Sequence, residues 1–141
     1  RFGDAVHLFQ RDTQRISLGN TIMSNKYLVN CTYGNEDLER ASVAFIVASA
    51  AAAMDSETAM FLTASSVDLV TKQGATDKQA EGYPPLSDLL GAFTENGGQI
   101  WVCPVCANSR NISADDLVEG AEIAGAARTI GFVNDGAQIL I

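Results

Sequence analysis

Two thiols separated by two residues, Cys103-Pro104-Val105-Cys106, are the side chains of this sequence best placed to do chemistry. Trp101-Val102 before them reads as the end of a strand. Pro104 suits the first position of a helix, where its missing N–H costs nothing. Cys103 then stands at the cap and Cys106 at the third helical position. A thiolate at the cap faces the free N–H groups of Val105 and Cys106, which lower its pKa and make Cys103 the better nucleophile of the two. Arg110, one turn beyond Cys106, adds positive charge nearby.

Other readings of the pair stay open at this point. Free cysteines often serve as small buried hydrophobes. A structural zinc asks for four ligands, and only Cys31 and the single histidine, His7, remain to complete a set. No metal ligand is therefore assigned. Dithiol redox chemistry would use both sulfurs. Against a thioredoxin-like arrangement, the pair follows the third strand instead of the first, and Pro104 comes directly after the first cysteine.

Other chemistries find little support. With His7 the only histidine, Ser-His-Asp, Cys-His and HExxH sites lack their central residue. Neither G-x-x-x-x-G-K-[ST] nor a G-x-G-x-x-G after a strand occurs, so no nucleotide motif is present. No cofactor is implied. Asp37, Glu39, Asp115 and Asp116 fall in the first turns of expected helices, where acids favour the free N–H groups. Tyr33 and Asn35 follow the first strand and should face the crevice at the carboxyl edge of a parallel sheet. With Arg110 they are the candidate substrate-binding residues.

The elements that must position these groups are legible from periodicity. Lys26–Cys31 is a short apolar run closed by Thr32-Tyr33-Gly34, and reads as a strand. Asn35 can cap a helix running to about Met54, with Leu38, Ala41, Phe45 and Ala48 at helical spacing. Glu57–Ala64 reads as a second strand, Ser65–Lys72 as a helical turn and Gln73–Tyr83 as a polar loop. Pro84-Pro85 opens a helix through Phe93 that Asn96-Gly97-Gly98 ends. Gln99–Cys103 is a third strand, Glu119–Ala124 a brief fourth, Gly125–Asn134 a helix and Ala137–Ile141 a final strand. Strands alternating with helices imply parallel pairing and helices on both faces of the sheet.

Composition narrows the setting. A chain of 141 residues, 47% hydrophobic, has room for one core. Its net charge of −8, from 17 acidic and 9 basic side chains, repels nucleic-acid phosphates and anionic membranes. The uncharged, alanine-rich run Ala41–Met54 falls short of the roughly 20 apolar residues that span a bilayer. Three cysteines, an odd number, favour a reduced, cytoplasmic setting. Met23-Ser24-Asn25-Lys26 looks like a natural start, so residues 1–22 read as a leader or appended extension that the core can do without. Residues 23–141 form the domain.

Asn30-Cys31-Thr32-Tyr33-Gly34-Asn35, followed by Glu39-Arg40-Ala41, resembles the first strand, turn and helix of DsrE/DsrF-like proteins. Phe61-Leu62-Thr63 resembles their second strand. Gly98-Gln99-Ile100-Trp101-Val102-Cys103-Pro104-Val105-Cys106, continuing from Asp116 to Ala126, resembles their cysteine-bearing strand and the acidic, glycine-containing segment after it. The resemblance implies a three-layer α/β/α sandwich around a five-stranded, mainly parallel sheet. It also implies homo-oligomers, commonly trimers or hexamers, and partner proteins that donate or accept sulfur.

In the sulfur-relay branch the cysteine ending this strand carries a persulfide, which maps to Cys103. Relay members often have one cysteine here, so Cys106 is a departure. A neighbouring thiol can discharge a persulfide as sulfide and leave a disulfide. The expected function is therefore a sulfur carrier or sulfurtransferase-like protein, with Cys103 reactive and Cys106 auxiliary. The alternatives are a dithiol oxidoreductase using both cysteines, or a non-catalytic ligand- or metal-binding oligomer of the same fold.

Overall fold

The computed structural model describes residues 25–141, so the expectation for residues 1–22 lies outside the described residues. Five strands form one sheet: β1 (Lys26–Cys31), β2 (Glu57–Leu62), β3 (Gln99–Val102), β4 (Ala121–Ile123) and β5 (Gln138–Leu140). Their order across the sheet is β4-β3-β2-β1-β5. Every pairing is parallel, where the resemblance implied a mainly parallel sheet. Among the described residues four α-helices accompany them: α1 (Leu38–Ala53), α2 (Leu86–Glu95), α3 (Pro104–Asn108) and α4 (Ala126–Asn134). Among the described residues no helix is long and apolar enough to cross a membrane.

Period-two alternation along the strands sorts side chains to two faces. Val29, Cys31, Met60, Leu62, Ile100 and Val102 enter the larger core with Phe45, Leu86, Leu90 and Phe93. That face is covered by α1 and α2. Ala41, Ala44, Ala48 and Ala52 of α1 are all buried, and their small side chains bring the helix close to β1 and β2. The opposite face gathers Leu28, Ala59 and Trp101 around Phe132 of α4. Trp101 and Phe132 meet edge to face, with ring centroids 5.2 Å apart and planes at 87°. Burying a side chain such as Phe93 or Leu86 contributes about 1.5–3 kcal/mol, so the two-helix face carries most of the stabilisation. The result is a three-layer α/β/α sandwich, thick on one side and thin on the other.

Several boundaries differ from expectation for local reasons. Asn35 does not cap α1. It begins a 3₁₀ turn, Asn35–Asp37, and Asp37 is the cap, its carboxylate accepting from the Arg40 N–H at 3.0 Å. The second strand stops at Leu62, because Ala64 takes a left-handed conformation, φ 54°, that no strand accommodates. A 3₁₀ segment, Ala64–Val70, follows and sends Val67, Leu69 and Val70 into the core. The third strand ends one residue early, leaving Cys103 as the cap of α3. Both outer strands, β4 and β5, are shorter than expected.

Candidate functional site

The carboxyl edge of the sheet is where three loops are drawn side by side. The parallel ladder continues one residue past the strands: Thr63 N–H donates to Cys31 O at 3.1 Å, and Cys103 N–H to Leu62 O at 3.0 Å. Gly34 presses against Ser65 so closely that any Cβ would collide with the Ser65 carbonyl. Glu36 ties the same two loops, accepting from Ser65 Oγ at 2.7 Å and from Gly34 N–H at 3.0 Å. Ser66, fully buried, donates its hydroxyl to Cys31 O at 2.6 Å. On the far side, a Cβ on Gly125 would lie 3.3 Å from Pro104 Cδ, so the loop after β4 shelters the start of α3.

Cys103 stands half-buried where these loops converge. Its side chain makes no fully formed cap hydrogen bond, which corrects the simplest expectation. Burial pushes its pKa upward, but the Cys106 N–H, the Cys106 thiol and the Val105 N–H more than offset this, leaving Cys103 below an ordinary thiol. With five residues, α3 is too short to add a long aligned dipole. Individual donors carry the effect.

Cys106 is also half-buried. Its Sγ accepts from Ala64 N–H at 3.1 Å. Burial and the adjoining Cys103 nevertheless push its thiol up, against the lowering influence of the Ala64 N–H and of Arg110. Arg110 thus serves Cys106 more than Cys103. It donates to Cys106 O at 3.2 Å, and its Nε lies 3.9 Å from Asp68 Oδ2. Cys31 is only 3% exposed, gives its S–H to Tyr33 O at 3.5 Å, and is pushed up to about 11, chiefly by burial.

A cleft of about 490 Å³ opens beside β1 and β5, walled by Asn30, Tyr33, Arg40, Val43, Ala44 and Ile141. Tyr33 does line this crevice, with the Arg40 guanidinium 5.3 Å from its ring centre. Asn35 is exposed on its turn and is not part of that lining. The cysteine pair does not line it either. The structure brings Arg110 beside Cys106 and Cys103 and apart from Tyr33 and Asn35, with which it was expected to bind substrate; Tyr33 belongs to a second feature and Asn35 to neither. Among the described residues no group of three or more His, Cys, Asp or Glu side chains could hold a metal ion. The Ala64 N–H was missed, since a backbone donor leaves no mark in sequence.

A strand-end cysteine in a five-stranded parallel α/β sandwich can be compared with known proteins. The DsrE/DsrF-like family profile matches residues 25–141, all of the described chain. The chain belongs to the DsrE/DsrF-like family. That family has sulfur-relay members. The uncharacterized protein MJ0760 of Methanocaldococcus jannaschii is 29% identical over 114 residues, covering 81% of this chain and 41% of that protein. The chain therefore spans less than half the length of that relative. The crystal structure of the ychN protein from E. coli superposes with a TM-score of 0.69 at 18% identity, over 84% of this chain and all of that one. MTH1491 of Methanobacterium thermoautotrophicum, a protein of unknown function, gives 0.60 at 13% identity, over 83% and 98%. At such identities the two structures speak for the fold.

Proposed function

We propose that this DsrE/DsrF-like protein is a sulfur carrier that holds sulfane sulfur as a persulfide on Cys103. The Cys103 thiolate attacks the outer sulfur of a donor persulfide, R–S–SH. The S–S bond of the donor breaks, R–S⁻ leaves, and Cys103–S–SH forms. An acceptor thiolate then attacks the outer sulfur of Cys103–S–SH, takes it as R′–S–SH, and returns Cys103 as thiolate. No oxidant or cofactor enters either step.

The observation that carries this reading is the contrast among three thiols. Cys103 is accessible and favoured as thiolate, whereas Cys31 is buried and holds its proton to about 11. Membership of a family with sulfur-relay proteins supports the same assignment. A site at the rim of the sheet suits hand-over between proteins in the cytoplasm, or between copies of this chain in a trimer or hexamer.

Brief anaerobic exposure to inorganic polysulfide, followed at once by intact mass, tests the assignment. Wild type and Cys31→Ser should each gain about 32 Da, one sulfur, and Cys103→Ser should not. If Cys103→Ser loads as well as wild type, the carrier assignment is wrong.

A further inference from the structure

The second thiol of the pair has a setting of its own. Ala64 is the residue that turns its N–H onto Cys106 Sγ, at 3.1 Å. It does so with φ 54°, a conformation that Asp and Asn tolerate but that costs alanine roughly 1–2 kcal/mol. Backbone strain of this kind persists where surrounding structure enforces it, and such sites cluster at functional positions. Here the enforcing contacts surround the turn: Ser65 is held by Glu36 and packed closely on Gly34, and Ser66 is anchored on Cys31 O. Burial and Cys103 push the Cys106 thiol up overall, and the Ala64 N–H and the Arg110 charge are the two influences that favour its thiolate. Positions N-cap and N3 of a helix put two Cα atoms roughly 5–5.5 Å apart, inside the range of about 4.4–6.8 Å that a disulfide bridges. Both cysteines are half-buried residues.

We infer that Cys106 is a resolving thiol, positioned by the Ala64 N–H, which turns the loaded carrier into a sulfide-releasing site. This rests on the persulfide reading of Cys103. The Cys106 thiolate attacks the inner sulfur, Cys103 Sγ, and expels the outer sulfur as HS⁻. A Cys103–Cys106 disulfide forms. The sulfane sulfur gains two electrons and becomes sulfide, and the two cysteine thiols supply them. An external dithiol, by two thiol–disulfide exchanges, restores the reduced pair and is itself oxidised to a disulfide. With that reductant present the protein acts as a persulfide reductase, and without it the pair stops after one turnover. Loading is then a choice between two exits, transfer of the outer sulfur to an acceptor or its release.

The test uses the full chain, reduced, desalted and exposed anaerobically to inorganic tetrasulfide, with excess donor removed and no thiol added. Intact mass and free sulfide are followed in time. In wild type the species about 32 Da heavier should give way to one about 2 Da lighter than the reduced protein, with stoichiometric sulfide. In Cys106→Ser and Cys106→Ala the added sulfur should persist at least about tenfold longer, and no sulfide should appear. If wild type keeps the added mass as long as both variants do, the resolving role falls and the carrier reading stands. If the mass is retained and the sulfur is found on Cys106 by peptide mapping, attack goes to the outer sulfur and the inference is again overturned. If neither wild type nor either variant ever gains sulfur, the carrier reading falls, and this inference with it.

Discussion

Alkaline pH should destabilise this protein through one buried thiol, Cys31, and the size of the effect can be worked out. Cys31 is 3% exposed, belongs to the main core with Val29, Leu62 and the α1 alanines, and borders the cleft beside Tyr33. In the unfolded chain its thiol titrates near 9.0, while in the fold burial carries it to about 11. Between those two pH values the unfolded state binds fewer protons than the folded state. Stability is therefore intact below about pH 9 and falls as pH rises toward 11. A displacement of about two pH units corresponds to roughly 2–3 kcal/mol, a large share of the stability of a domain this size. Urea titrations of wild type and Cys31→Ala, under reducing conditions from pH 7.5 to 11, isolate the effect. The small cavity left by alanine costs the same at every pH. Whatever advantage wild type holds at pH 7.5 should shrink by that amount at pH 11. Two stability curves that stay parallel would refute the reasoning. They would also remove the ground for setting Cys31 apart from the sulfur chemistry, because a Cys31 that ionises freely is not sealed in the core.

Two backbone positions at the carboxyl edge give further tests. Gly34→Ala sets a methyl group against the Ser65 carbonyl and should cost about 1–3 kcal/mol in urea, as overpacking does; a loss under about 0.5 kcal/mol would mean that the two loops part freely. Ala64→Gly removes the left-handed strain and should leave stability unchanged or raise it by up to about 1 kcal/mol, the reverse of the usual cost of glycine. A drop of more than about 1 kcal/mol would show that the methyl group of Ala64 matters more than its φ.

Much of this architecture could be read from residue order because strands and helices announce themselves by period. Lys26–Cys31 emerges with the expected bounds, and the Leu38, Ala41, Phe45, Ala48 spacing marks the buried stripe of α1. What escaped depends on groups distant in sequence. Asn35 and Asp37 are both good caps, and the choice of Asp37 goes with the way Gly34 and Glu36 are pinned to Ser65. The N–H of Ala64 reaches a sulfur 42 residues away, and Arg110 turns toward Asp68, an equally remote side chain. The cleft around Tyr33 joins β1, α1 and Ile141, so no local pattern could have drawn it. Cys103 was legible because strand end, proline and second cysteine are neighbours in the chain.

The two outer strands of the sheet have a consequence for crowded solutions. β4 and β5 offer three residues each, paired only from Ala121 to Ile123 and from Gln138 to Leu140. A foreign chain adding itself to either margin would gain two or three hydrogen bonds before running into loop, too few to repay the ordering of its backbone. Among the described residues the sheet margins therefore make a poor template for runaway strand addition, the route to fibrils. Ile130 and Ile139, 59% and 58% exposed on α4 and β5, are the apolar surface this side leaves open.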